Sequence, residues 1–274
     1  MFTLLLSKDT LNIIIVLFPI TLMLLVPFFL IHNIENKKKE WLHYGLLAFQ
    51  SHTNPHFIKN VLQSINWFIL NNEKELASDY LCDFSKLMED ILKFSKKNFV
   101  TLAEKLEFLD LYLKLQNLRH KDKFDFVSLH DGNNKPTIKV DEEINPEIFL
   151  LPPLLIHPYI ENAIEHGLKP RKIKGELSVE FQFRNNKLIC MISDNGIGIK
   201  ASKEMHELTK TNRSEIGIIN TQKRIELIGK LYGMTIDVTI RELNPGKEEP
   251  GTLVSLEFPM PMWFNPKSMP GRLY

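Results

Sequence analysis

Apolar residues recur along this chain in several rhythms, and each rhythm predicts a different element. From Leu11 to Ile31 no charged residue interrupts the run and only Asn12 and Thr21 are clearly polar. About 20 apolar residues suffice to cross a bilayer as a helix, so a single transmembrane helix is predicted over 11–31. Pro19 and Pro27 fit as kinks of the kind membrane helices tolerate. Further on, Phe57, Val61, Leu62, Ile65, Phe68 and Ile69 return at intervals of three and four. That spacing predicts a long helix over 40–71, with His56, Asn60, Gln63 and Trp67 on the opposite, polar face. Leu76, Tyr80, Leu81, Phe84, Leu87, Met88, Ile91 and Leu92 predict a second helix over 73–95, and the intervening Asn71-Asn72 predicts an antiparallel hairpin. One hairpin leaves an apolar stripe uncovered, whereas two close a four-helix bundle, so a homodimer is expected.

A third helix is predicted over 101–119. Thr101 and Glu104 stand at capping-box spacing, and an amphipathic pattern follows with a solvated charged face. Beyond it the period shortens. Strands are predicted over 124–129 and 137–140, flanking Asp131-Gly132-Asn133-Asn134, and a helix over 153–166. A hairpin of strands 176–184 and 187–193 turns at Asn185-Asn186, followed by a helix over 216–231 and strands over 234–241 and 252–258. Helices mixed with hairpin-connected strands give an α+β chain whose C-terminal part is an α/β sandwich on a mixed sheet, not a doubly wound parallel one. From Pro259 onward, Pro261, Pro266 and Pro270 predict an irregular tail.

Composition narrows the partners. A chain of 274 residues, 44% hydrophobic, suits one or two domains plus an anchor. The formal charge of +1 supplies no broad basic field, so direct nucleic-acid binding is not expected. Lys37, Lys38 and Lys39 follow the apolar run and only Lys8 precedes it, which orients the long C-terminal part to the cytoplasm of a cell-membrane protein in contact with lipid. A secretory signal peptide would need a basic start, a shorter apolar core and a small-residue cleavage site. Cys82 and Cys190 lack metal-ligand spacing and read as free thiols in a reducing compartment.

Candidate chemistry lies in four strings: Asn54-Pro55-His56-Phe57, the run Ile156 to Leu168 containing Glu161-Asn162-Ala163, Ser193-Asp194-Asn195-Gly196-Ile197-Gly198, and Ile216-Gly217-Ile218-Ile219-Asn220. Asn54 as a cap and Pro55 at the first helical position place His56 in a first turn, where backbone donors favour a neutral, nucleophilic imidazole and an incoming phosphoryl group. His52 and His56 stand four apart, but no third ligand accompanies them. Taken singly, each string has a plain structural reading: an exposed histidine, the polar face of a helix, an ordinary turn.

Together and in this order, the last three strings resemble the ATP-binding domain shared by bacterial histidine kinases, DNA gyrase and related ATPases. Asn54 to Phe57 resembles the phospho-accepting segment of the LytS-like, autolysin-sensor branch of those kinases. The resemblance implies ATP and magnesium, with His56 as the catalytic phospho-acceptor. Asn162 would act in catalysis by holding the magnesium ion on the phosphates, and His166 and Gly167 would close that motif. Asp194 would accept from the adenine amino group, and Gly196 and Gly198 would let backbone approach the base. Gly217 would open a helix whose amides meet phosphate, Asn220 and Arg224 would follow one and two turns on, and Thr252, after Gly251, would lie near the nucleotide. The implied partner is a response regulator with an acceptor aspartate, often of a DNA-binding, β-rich type.

The sequence departs from the family pattern at His52, Lys59, Lys105 and Glu215, where Gln, Phe, an acid and Gly are common. Two rivals stay open. One is a conformational ATPase, although Pro158 stands where those enzymes carry the water-activating Glu. The other is a membrane-anchored dimeric scaffold whose kinase parts have diverged. The expected division is a short extracytoplasmic segment (1–10), the membrane helix (11–31), a basic linker (32–40), a helical dimerisation and phospho-acceptor region (41–121), an ATP-binding kinase domain (122–260) and the tail (261–274).

Overall fold

The computed structural model describes residues 25–27, 29, 55–120, 123–127, 137–209 and 213–259, with backbone alone at 55, 56, 206–209, 213–218 and 231. The chain divides into two units, Met1–Tyr44 and Gly45–Tyr274. In the first, residues 25–27 and 29 are helical and exposed. Among the described residues no helix is long and apolar enough to cross a membrane. The rest of the expected span, the segment 1–10, the linker 32–40 and the tail 261–274 lie outside the described residues, as do 41–54.

The second unit opens with the expected hairpin, α1 (Pro55–Leu70) and α2 (Lys74–Ser95). Its turn puts Asn72 at φ 61°, a left-handed conformation that Asn tolerates. Phe57 packs on Phe84 at 6.0 Å and Phe68 on Tyr80 at 5.6 Å between ring centroids. Leu62, Ile69, Leu81 and Leu92 stay exposed, so only part of the apolar pattern is covered within one copy. The polar face drawn from the periodicity needs correction, because Asn60 is buried with Phe57, Val61 and Phe68. The cause is a second neighbour: Phe57 also packs on Tyr112 of the third helix, at 6.3 Å.

A two-residue strand, β1 (Val100–Thr101), leads into α3 (Leu102–Arg119). The capping box forms as expected. The Glu104 amide donates to Thr101 Oγ1 at 3.1 Å, and the Thr101 amide donates to Glu104 Oε2 at 3.2 Å. The solvated charged face expected of this helix is narrower than its pattern suggests, with Glu107 and Lys114 exposed. Lys105, Asp110 and Gln116 are buried, because the hairpin covers one side, where Tyr80 donates to the Leu115 carbonyl at 3.5 Å. On another side Phe108 and Tyr112 stack edge-on against His157, at 5.7 and 6.3 Å.

Five strands form the mixed sheet: β2 (Ile138–Val140), β4 (Leu177–Arg184), β5 (Lys187–Asp194), β6 (Asp237–Glu242) and β7 (Thr252–Pro259), in the order β2-β4-β5-β7-β6. β2 runs parallel to β4, and the remaining pairs are antiparallel. In β5 buried and half-exposed residues alternate, the period-two signature of a sheet with one covered face. Asn185 and Asn186 turn the β4–β5 hairpin at φ 51° and 60°, the double left-handed geometry favoured by two-residue hairpins. Residues 124–127 form no strand. Phe124 makes a single bridge to Gly175, while β3 (Leu150–Leu151) pairs with β1.

The helix expected over 153–166 starts later, at His157, because Leu154 sits at φ 60°. It runs as α4 (His157–Asn162) and continues as a π-helical turn, Ala163–Leu168. A helix not foreseen, α5 (Gly198–Thr209), follows β5. α6 (Arg213–Tyr232) begins three residues before the expected start.

Candidate functional site

Asp194 ends β5 directly opposite Thr252 of β7. Its carboxylate accepts the Gly196 amide at 2.8 Å and both the amide and the hydroxyl of Thr252. Burial pushes its pKa up to about 6, against the pull of those donors and of Arg171. Three separate strings interlock around it. The Ile197 amide donates to the Gly167 carbonyl at 3.1 Å, and the Gly251 amide donates to the Gly196 carbonyl at 3.0 Å. Glycine is required by close approach. A Cβ on Gly167 would sit 2.7 Å from Asp194 Oδ1, and one on Gly196 would strike the Gly167 backbone. Gly251, at φ +66°, would drive a Cβ into the Asp194 carbonyl, and Gly198, at φ +81°, abuts Pro250.

Asn162 is half-buried at the last α-helical residue before the π turn. The turn closes through a bond from the Lys169 amide to the Ile164 carbonyl, five residues back, at 2.8 Å. Such bulges re-aim the side chains that follow, and they concentrate at functional sites. Here the turn carries half-buried His166 and delivers Gly167 to the Asp194 turn. Its Glu165 meets Lys169 at 2.7 Å, Arg119 at 3.2 Å and His120 at 3.4 Å. Burial works to raise the Glu165 pKa, but hydrogen bonds from His120 and Lys169 with the Arg119 charge outweigh it and hold the carboxyl well below the usual range. Glu161 is the counterpart: burial and the neighbouring Glu165 lift it to about 7.

Gly217 does not open its helix. It is the fifth residue of α6, and only the first four amides of a helix lack an internal partner. The helix has grown backward past the expected start. Asn220, one turn on, is half-exposed, while Arg224 is buried.

His56 is the second residue of α1; its side chain, with Asn54 and His52, lies outside the described residues. Its neighbour Phe57 is placed. Phe57, Leu87, Ile91, Phe108, Tyr112, His157 and Glu161 line a cavity of about 10 Å³, room for roughly one water. The residue after His56 and the residue before Asn162 therefore share one small space.

The donor set fits a nucleotide. A buried carboxylate fixed by Gly196 and Thr252 is an acceptor suited to an exocyclic amine, and the Asn162 amide oxygen is a hard ligand suited to magnesium. Among the described residues no three His, Cys, Asp or Glu side chains cluster to hold a metal by themselves. A magnesium ion at Asn162 would thus rely on phosphate oxygens and water. Sequence reasoning missed Arg171, which donates to both Asn195 and Glu249.

Residues 45–124 match the family model for histidine kinases. Sensor histidine kinase YesM of Bacillus subtilis is 27% identical over 228 residues, covering 82% of this chain and 35% of that protein. Sensor histidine kinase YpdA of Escherichia coli is 29% identical over 204 residues, covering 74% and 33%. Sensor protein LytS of Staphylococcus epidermidis is 26% identical over 216 residues, covering 77% and 33%. The chain is thus similar to LytS- and YesM-type sensor histidine kinases over most of its length. It spans about a third of the length of the curated relatives it matches.

Proposed function

We propose that this chain is an ATP-dependent protein-histidine kinase that phosphorylates itself on His56 and passes the phosphoryl group to an aspartate of a response regulator. The observation that carries this reading is the interlock of Gly167, Asp194, Gly196 and Thr252 beside the helix of Asn162, with Phe57 of the acceptor helix lining the same cavity as Glu161. Asp194 accepts from the purine amino group, the missing side chains of Gly196 and Gly198 let its turn seat against Gly167 and Pro250, and Thr252 holds the Asp194 carboxylate. Asn162 would hold a magnesium ion, which would supply positive charge to the phosphates. His166, Gly217 and Asn220 line the phosphate side, and the Gly217 amide reaches phosphate once the first turn of α6 opens.

A nitrogen of the neutral His56 imidazole attacks the γ-phosphorus in line. The new N–P bond forms as the bond to the ADP oxygen breaks, and the ring proton passes to solvent. Such a transfer depends mainly on positioning and charge stabilisation. The exposed Leu62, Ile69, Leu81 and Leu92 suit burial in a homodimer, the bundle that one hairpin cannot close. We place the chain in the cell membrane through the apolar run 11–31, with the kinase part cytoplasmic, and the regulator is of the DNA-binding β-rich kind.

The test is incubation of the purified chain with magnesium and γ-labelled ATP. Acid-labile, alkali-stable label on the protein is expected. Steady phosphate release without protein label, undiminished in His56→Gln, would point instead to a conformational ATPase. Asp194 must be ionised to accept from an amine, so ATP affinity should fall as pH drops through about 6.

A further inference from the structure

Arg171 lies in the loop that leaves the π turn, and its side chain is only 7% exposed. Its Nη1 donates to Asn195 Oδ1 at 2.7 Å and to the Lys174 carbonyl at 3.4 Å. Its Nε and Nη2 donate to Glu249 Oε2 at 3.1 and 2.7 Å. The loop is anchored in turn, because Lys123 Nζ donates to the Arg171 carbonyl at 2.8 Å and the Arg171 amide donates to the Leu168 carbonyl at 3.0 Å. Asn195 Oδ1 accepts a second time, from the Glu176 amide at 2.7 Å. Space here is tight as well: a Cβ on Gly175 would lie 2.7 Å from Asn195 Oδ1 and 2.8 Å from Arg171 Nη1.

One guanidinium therefore ties together three stretches far apart in sequence. They are the loop after Gly167, the turn that carries Asp194 and Gly196, and the approach to Gly251 and Thr252. These same stretches supply every donor that fixes the Asp194 carboxylate. Asn195 sits between Asp194 and Gly196, and Glu249 lies two residues before Gly251. An arginine can do this where a lysine cannot, since its planar fork reaches an amide oxygen and a carboxylate at once.

We propose that Arg171 is a positioning residue for purine selection: by clamping Asn195 and Glu249 it holds the Asp194 turn against β7, so that the Asp194 carboxylate keeps the one orientation that discriminates adenine from guanine. The proposal deepens the reading of Asp194 as the acceptor for the purine amino group, and it rests on that reading. Arg171 touches no nucleotide atom in this scheme. Its effect belongs to base recognition and not to the transfer step.

The experiment measures autophosphorylation of the full chain in detergent micelles with ATP and with GTP, alongside the thermal unfolding midpoint. Arg171→Ala should raise KM for ATP about tenfold, the usual scale for losing charge-assisted hydrogen bonds, with kcat changed less than twofold. The preference for ATP over GTP should shrink by a similar factor. Arg171→Lys should restore only part of it. Glu249→Gln, which keeps the size of the partner and removes its charge, should move the ratio in the same direction by a smaller factor, and it serves if the alanine variant does not fold. Equal losses with both nucleotides, or a fall in kcat at unchanged KM, would assign Arg171 a merely structural role and overturn the proposal. Asp194→Asn separates the two levels. If it collapses the ATP preference while Arg171→Ala and Glu249→Gln keep it, the clamp is wrong and the reading of Asp194 stands. If Asp194→Asn leaves the preference intact, the reading of Asp194 fails and the clamp falls with it.

Discussion

Arg171 and Lys105 are both cations withdrawn from water, yet the fold treats them in opposite ways. Arg171 meets a carboxylate, an amide oxygen and a backbone carbonyl. Lys105, with no exposed surface at all, lies over the Phe108 ring at 5.1 Å, and its Nζ makes no hydrogen bond. Its influential charged neighbour is Arg224, a second buried cation. Burial, reinforced by Arg224, pushes the Lys105 pKa down to about 7, with only the Cys190 thiol acting the other way. A buried charge survives where oxygens surround it; where they do not, the cheaper course is to release the proton. The two sites thus separate a cation that organises its surroundings from one that strains them.

Replacing the buried lysine is the strongest way to break that contrast. Lys105→Glu exchanges the like-charge neighbour of Arg224 for an opposite charge and should raise stability by about 3 kcal/mol in thermal or denaturant unfolding. Lys105→Met removes the charge without adding a partner and should gain about 2 kcal/mol at pH 6. Its pH dependence sharpens the point. The folded pKa of about 7 lies below the unfolded value near 10.5, so between them the unfolded chain binds more protons and wild-type stability rises with pH. The advantage of Met should therefore be full below about pH 7 and fade towards 10.5.

Glu165 provides the satisfied anion for comparison. Its folded pKa is depressed, so it stabilises above the ordinary value of 4.5 and that contribution is lost as pH falls below it. Glu165→Gln should cost about 1.5 kcal/mol at pH 7, with the difference from wild type shrinking steadily in acid. The smallest expected effect is at the Thr101 cap. Thr101→Ala should cost about 1 kcal/mol by unfolding, with no pH dependence of its own between 6 and 9.

Local signals were readable from the sequence. The capping box at Thr101, the Asn185-Asn186 turn and the helical hairpin form as their residues predict, because each depends on neighbours within a few positions. The strings around Asp194 were legible, but Gly196 and Gly198 were expected to make room for a base, whereas in the fold they make room for Gly167 and Pro250. What escaped depends on distance. Arg171 lies 24 positions from Asn195 and 78 from Glu249, and no local pattern announces that meeting. The burial of Lys105 escaped for the same reason, since helical periodicity cannot tell a face that meets water from one that meets a second module. The π turn after Asn162 and the late start at His157 are backbone events with no periodic signature, and β1 and β3, at two residues each, are too short to show one.

The central claim is that the acceptor helix and the Asp194 site work on one nucleotide. The most direct measurement is to locate the phosphoryl group by peptide mapping after incubating the full chain with magnesium and ATP. A single phosphohistidine at His56, lost in Asp194→Asn as well as in His56→Gln, is the expected result. Label on His157 or His166, or label undiminished in His56→Gln, would contradict it.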